Sequence, residues 1–275
     1  MKLGTLVRIG DVSRADAAFA ELTACGFTAC QLVYKPETYT KEAAQSIRLA
    51  ADKAGIDISA MFAGYRDTAT VWDIYDGYRT AGINVLPYAD ERVAYVLNAA
   101  EFAAWAGIED VIIHAGFVPN DPFCDGYTRM VENVRKIALV LKERGQNLLF
   151  ETGGEAPVTL KRLIEDVGTG NLYINFDPAN ILMYGLGNPV DALRVFGKYV
   201  RNCHGKDGLL PEDTRHLGKE VPLGEGLADF PAIIGMFRDL GYDRYIIIER
   251  EITGEQQKAD ILEAKKSLEA LLKGE

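Results

Sequence analysis

The chain has 275 residues, with 30 Lys+Arg against 40 Asp+Glu and a formal net charge of −10. At 48% hydrophobic and 25% charged residues it is globular rather than disordered, and it is long enough to bury a core without disulfides. The acidic balance argues against a nucleic-acid binder that depends on phosphate neutralisation, and three histidines, His114, His204 and His216, exclude a site that needs many imidazoles.

Short apolar or β-branched runs alternate with longer stretches of helical period. In chain order the pairs are Thr5–Ile9 with Ala15–Cys25, Ala29–Val33 with Lys41–Ala54, Ile56–Phe62 with Glu91–Trp105, and Val111–His114 with Tyr127–Arg144. The second half continues with Leu148–Glu151 and Thr159–Val167, Tyr173–Asp177 and Val190–Phe196, Val200–His204 and Phe230–Leu240, then Tyr245–Glu249 and Glu255–Leu272. Eight strands, each followed by a helix, predict an α/β protein, a single (β/α)8 TIM barrel spanning residues 1–275. A doubly wound sheet would carry a Gly-rich phosphate turn after its first strand, and Ile9-Gly10-Asp11-Val12-Ser13 contains no GxGxxG.

Gly26, Gly55, Gly107, Gly145 and Gly241 stand where helices should stop, and Pro157 and Pro189 near helix starts. The segment from Tyr65 to Asp90 is longer than a plain βα loop and reads as an insertion at about 65–90. It carries Tyr65, Trp72, Tyr75, Tyr78 and Tyr88, and fits equally a wall over the barrel mouth or an oligomer contact. No apolar leader opens the chain and no run reaches the ~18 apolar residues of a membrane span. The four cysteines show no CxxC spacing, so a cytoplasmic chain with reduced thiols and no membrane partner is expected. A homo-oligomer is left open.

Four of the strand runs end in a residue able to ligate a metal: Glu151, Asp177, His204 and Glu249. Parallel barrel strands all point the same way, so these side chains should gather on one rim. A lone carboxylate at a strand end is commonly a helix cap or a surface charge; four metal-competent residues on consecutive strands are not accounted for that way. Three carboxylates and one imidazole form a mostly hard oxygen site for one divalent metal ion. Mn2+ or Mg2+ suit it best, and the single nitrogen admits Co2+, Fe2+ or Zn2+.

The stretches Phe150-Glu151-Thr152-Gly153-Gly154-Glu155, Asn175-Phe176-Asp177-Pro178-Ala179-Asn180 and Cys203-His204-Gly205-Lys206-Asp207 carry a family likeness, joined by Pro222-Leu223-Gly224-Glu225-Gly226 and Ile248-Glu249-Arg250-Glu251. On these the chain resembles the xylose-isomerase-like TIM-barrel superfamily, in its sugar phosphate isomerase/epimerase branch. The resemblance implies a divalent metal held by Glu151, Asp177, His204 and Glu249, with Glu151 and Glu249 as the catalytic acid/base pair. The similar ketose 3-epimerases have a histidine three residues after the metal-binding aspartate, where this chain has Asn180.

The chemistry expected is an isomerase or epimerase acting on a small sugar or ketose, phosphorylated or not. One glutamate removes a proton beside a carbonyl and the other returns one to the resulting enediolate. Candidate substrate contacts are His114 at the end of strand four, Lys206, Arg215 in the long loop after strand seven, and Asn180. His216 shares that loop, while Glu155 and Glu225 are outer supports of the site. Loss of a β-hydroxyl from the same enediolate would instead give an inosose-type dehydratase. An apurinic endonuclease of the same barrel would need a histidine-rich trinuclear cluster, which this composition does not supply.

Overall fold

The computed structural model describes residues 1–65 and 69–274. Side-chain alternation along parallel strands decides which residues meet the helices and which meet the lumen. Eight strands close into a barrel: β1 Lys2–Arg8, β2 Ala29–Val33, β3 Asp57–Phe62, β4 Asp110–Ile113, β5 Asn147–Glu151, β6 Leu172–Phe176, β7 Val200–Gly205 and β8 Tyr245–Ile248. Each pairs in parallel with its neighbours in chain order, and β1 closes the ring on β8 through Lys2↔Tyr245 to Thr5↔Ile248. Val7, Leu32, Ile113, Phe150, Phe176 and Ile248 face outward into the main core beneath the helices. Ala60, Ile112 and Leu149 pack separately inside the barrel with Phe62 and Tyr173.

The helices are α1 Ala15–Ala24, α2 Lys41–Ala54, α3 Ala89–Trp105, α4 Asp125–Glu143, α5 Pro157–Val167, α6 Pro189–Phe196, α7 Phe230–Asp239 and α8 Glu255–Lys273. Among the described residues no helix is long and apolar enough to cross a membrane. The single (β/α)8 barrel expected from the alternation is the architecture found.

Boundaries move by a residue or a few, for identifiable reasons. The first strand starts at Lys2 rather than Thr5, because Lys2-Leu3-Gly4 pair with Tyr245-Ile246-Ile247. Gly4 is required there: a Cβ would lie 2.4 Å from the Ala29 carbonyl oxygen. At the other ends, His114, Asp177 and Glu249 sit one residue past their strands, while Glu151 and His204 lie within theirs. Some small elements were not anticipated. A short helix, Pro178–Met183, follows β6 directly, and a two-residue ribbon pairs Asp207–Gly208 with Glu220–Val221.

In the 65–90 segment, residues 66–68 lie outside the described residues. The remainder includes one helical turn, Gly77–Thr80, and is anchored by the buried Arg92 of α3. Its guanidinium donates to Gly82 O at 2.6 Å and to Thr70 Oγ1 at 2.9 Å, and lies 4.7 Å from the Tyr65 ring centroid.

Candidate active site

Glu151, Asp177, His204 and Glu249 each offer one ligand atom, and these atoms lie within 4.8 Å of one another. The barrel delivers them from four adjacent strands at the C-terminal end. Local chemistry then aims each side chain. Thr152 and Asp177 latch the ends of β5 and β6 together: Asp177 N donates to Thr152 Oγ1 and Thr152 Oγ1 donates to Asp177 O, both at 2.8 Å. Asp177 also caps the short helix, its Oδ1 accepting from Asn180 N at 2.9 Å. Its Oδ2 then faces His204 Nδ1 at 3.3 Å.

The His204 ring is held from behind. Its Nε2 lies 3.1 Å from Gln31 Oε1 and 3.1 Å from Asn175 Nδ2, while Nδ1 faces Glu249 Oε2 at 3.1 Å and Glu151 Oε1 at 3.5 Å. Asn175 Nδ2 also donates to Glu151 Oε2 at 3.2 Å, and Asn202 Nδ2 donates to both Gln31 Oε1 and Asn175 Oδ1. Gln31, Asn175 and Asn202 form a buried polar layer under the site that sequence reasoning missed. The available sign was a polar residue inside an apolar strand, as in Ala29-Cys30-Gln31-Leu32-Val33.

Lys206 is fully buried against the same group. Its Nζ lies 2.6 Å from Glu251 Oε1, 3.4 Å from Glu249 Oε2, 3.5 Å from Asp177 Oδ2 and 3.3 Å from Asn180 Oδ1. Asn180 bridges the site, donating from Nδ2 to Glu151 Oε1 at 3.3 Å. His114 Nε2 approaches the same Glu151 oxygen at 3.5 Å. The structure therefore brings His114, Asn180 and Lys206 to the four converging residues.

Arg215 and His216 lie elsewhere. Both are exposed on the loop after β7, where Arg215 stacks over Tyr75 at 4.4 Å and His216 Nδ1 pairs with Asp213 at 2.9 Å. They join that loop to the 65–90 segment at the outer rim. Glu225 is exposed; its flanking glycines serve Asp207, whose carboxylate accepts from the backbone of Gly208, Gly224, Gly226 and Ala228. A Cβ on Gly226 would lie 2.1 Å from Asp207 Oδ1, so this turn has no room for a side chain. Glu155 is buried and accepts from Gly153 N, supporting the loop after Glu151.

Burial and the neighbouring charges together shape the ionisation. Burial pushes the Glu151 carboxyl up to about 8; His204 opposes the rise, and Glu249 and Asp177 add to it. Burial also raises Glu249, but Lys206 and His204 outweigh it and hold that carboxyl below its usual range. The His204 imidazole is held well above its ordinary value: burial lowers it, and Glu151 and Glu249 more than compensate. His114, lowered to about 4 chiefly by burial, is neutral at physiological pH. Three carboxylates share one ammonium and one imidazole, and the donor set fits a divalent cation. A separate cavity of about 690 Å³ lies between α1 and α8, and of the four converging residues only Glu249 lines it.

Residues 19–273 match the family described as xylose isomerase-like TIM barrel. A xylose isomerase domain protein from Planctomyces limnophilus is 34% identical, with a TM-score of 0.91 over 99% of this chain and 98% of that one. A D-tagatose 3-epimerase-like protein superposes with a TM-score of 0.72 at 19% identity, covering 99% and 97% of the two chains. A xylose isomerase-like TIM barrel protein from Mycobacterium smegmatis, in complex with magnesium, has a TM-score of 0.72 at 14% identity over 99% and 97%. At these lower identities the likeness is one of fold. An uncharacterized protein of Methanocaldococcus jannaschii is 24% identical over 173 residues, 58% of this chain; the match spans 56% of that relative's length.

Proposed function

The chain belongs to the xylose isomerase-like TIM-barrel family, and on that premise we propose that it is a divalent-metal-dependent isomerase or epimerase of a small sugar or ketose. The observation that carries this reading is the convergence of Glu151, Asp177, His204 and Glu249 within 4.8 Å, at the barrel end where catalytic residues gather. A likeness in fold to a D-tagatose 3-epimerase-like protein supports it.

Glu151, Asp177, His204 and Glu249 would hold the ion, Mn2+ or Mg2+ by donor chemistry. When bound, the ion supplies Lewis acidity toward a substrate carbonyl. Glu151 and Glu249 are the proton carriers, one removing the proton beside the carbonyl and the other returning it. The polar layer of Gln31, Asn175 and Asn202 keeps the His204 ring and the Glu151 carboxylate from rotating out of place. His114, neutral and beside Glu151, accepts from or donates to a substrate hydroxyl. Lys206 and Asn180 contact a second hydroxyl, with Lys206 also offsetting the carboxylates. With Arg215 stacked on Tyr75, its role is confined to the outer end of a bound substrate.

The test is proton exchange. A Mn2+-loaded sample incubated in D2O with C3–C6 ketoses, their phosphates and inososes should incorporate deuterium beside the carbonyl of its substrate, read by NMR. Glu151→Gln and Glu249→Gln should each lower that rate by about 10²–10⁴-fold. Net loss of water instead of exchange would make the protein a dehydratase, and full activity in both variants would refute the mechanism.

A further inference from the structure

Beyond Thr5 the barrel wall opens. β1 and β8 pair only as far as Thr5↔Ile248, where Thr5 Oγ1 donates to Ile248 O at 2.8 Å. β1 then runs on to Arg8 along β2, whereas the chain after Ile248 keeps to β7, Glu249 N donating to Gly205 O at 3.3 Å. The two segments part company, and residues 6–8 and 249–253 form the two sides of a seam that lines the cavity of about 690 Å³ between α1 and α8. That volume is in the range of pockets that enclose small ligands.

The cavity has an apolar body. Val7, Leu22, Phe27 and Ile248 make its buried wall, while Ile261 and Leu262 of α8 line it and stay partly open. α8 is thinly seated here: of its 19 residues only Ala264 and Leu268 are fully buried. A groove of this kind gives up burial energy until an apolar group fills it.

The charges around the cavity are paired, with one exception. Glu21 and Lys258 meet across it at 3.3 Å, and Arg250 holds Glu220 at 3.2 Å and Asp260 at 2.7 Å. Glu249 and Glu251 face Lys206 at 3.4 and 2.6 Å. Arg8 is exposed, and its guanidinium has no hydrogen-bond or ion-pair partner among the described residues. An unmatched cation beside an apolar groove selects a ligand with one negative group and a hydrocarbon tail. The direction fits as well. Arg8 ends β1, and α1 runs back down the barrel from that end, covering about 10 Å of axis between Ala18 and Cys25.

We propose that the cavity between α1 and α8 is a binding site for a free aliphatic monocarboxylate, with the carboxylate on Arg8 and the chain lying between the two helices. This site is separate from the metal-ligand cluster and does not depend on the sugar reading.

Calorimetric titration of the full chain with butanoate, hexanoate, octanoate and decanoate, with and without Mn2+, tests it. Affinity should rise about fourfold for each added methylene and should not require the metal. Arg8→Gln should weaken octanoate about tenfold and leave 1-octanol unchanged, which also shows that the variant keeps its groove. Location has its own readout, because Cys25 lines the cavity whereas Cys124 caps α4. Octanoate should slow alkylation of Cys25 and leave that of Cys124 at its own rate, read by mass spectrometry. Absence of binding by every chain length, affinity independent of chain length, or binding only with Mn2+ present would overturn the site. Equal octanoate affinity in Arg8→Gln, or a Cys25 left unprotected at saturation, would do the same.

Discussion

The two ends of the barrel both bury carboxylates, and they treat them in opposite ways. At the N-terminal end Asp110 is almost wholly buried, and its oxygens are claimed by Arg201 Nε at 3.1 Å, Arg244 Nη2 at 3.0 Å and Asn147 Nδ2 at 2.7 Å. Arg201 is further held over the Tyr173 ring at 4.8 Å, and Arg244 Nε donates to Arg201 O. At the C-terminal end Glu151, Asp177 and Glu249 share one ammonium and one imidazole. The lower cluster is complete as it stands, two guanidiniums facing Asp110 and, from Arg201 at 4.0 Å, Glu109. In the upper one three carboxylates outnumber the ammonium and the imidazole, and burial, with Glu249 and Asp177 adding to it, pushes Glu151 up to about 8. A buried charge cluster that closes on itself is costly to break; one left short of a cation is arranged for something that arrives later.

This contrast is broken most strongly at the lower end. Asp110→Ala should cost about 3 kcal/mol of unfolding free energy, at the low end of the range for breaking a buried pair because both guanidiniums keep some solvent contact. Denaturant melts check the cost, and calorimetry of the folded variant should show Mn2+ affinity unchanged. At the upper end, Gln31→Leu removes the acceptor behind His204 Nε2 at nearly constant volume. It should weaken Mn2+ binding by about 10–100-fold with a much smaller effect on folding. If stability fell more than affinity, the polar layer would belong with the lower cluster as a structural feature.

A smaller effect comes from protons. In the metal-free chain Glu151 is raised to about 8 and His204 is also raised, so both hold protons at neutral pH that a cation must displace. Mn2+ affinity should therefore improve as pH rises from about 6 to about 9, with proton release largest at the acid end. Titrations in buffers of different ionisation enthalpy measure that release directly. An affinity flat across this range would mean that the upper cluster is already deprotonated and not short of positive charge.

Much of this architecture is legible in the sequence, for physical reasons. Runs such as Ile246-Ile247-Ile248 before Glu249, or Leu148-Leu149-Phe150 before Glu151, declare a buried strand with a functional end. The parallel arrangement then brings those ends together without further information. The supporting layer is less visible, because a lone Gln31 or Asn202 acquires meaning only when β2 and β7 face each other across the lumen. Loop residues are hardest. Nothing in Asp213-Thr214-Arg215-His216 tells that Arg215 will lie on Tyr75 rather than reach inward, since its partner is set by tertiary folding. Lys206 shows the intermediate case: the stretch His204-Gly205-Lys206-Asp207 marks it, but whether it meets substrate or carboxylate depends on Glu251 and Asn180 arriving from the segments after β8 and β6.

The most direct test of the account is calorimetric titration of the metal-free protein with Mn2+, alongside Asp177→Asn and Asp110→Asn variants. The unequal treatment of charge at the two barrel ends predicts saturable binding of one ion per chain, lost in Asp177→Asn and retained in Asp110→Asn. No saturable binding to the unaltered chain, or equal binding in Asp177→Asn, would contradict it.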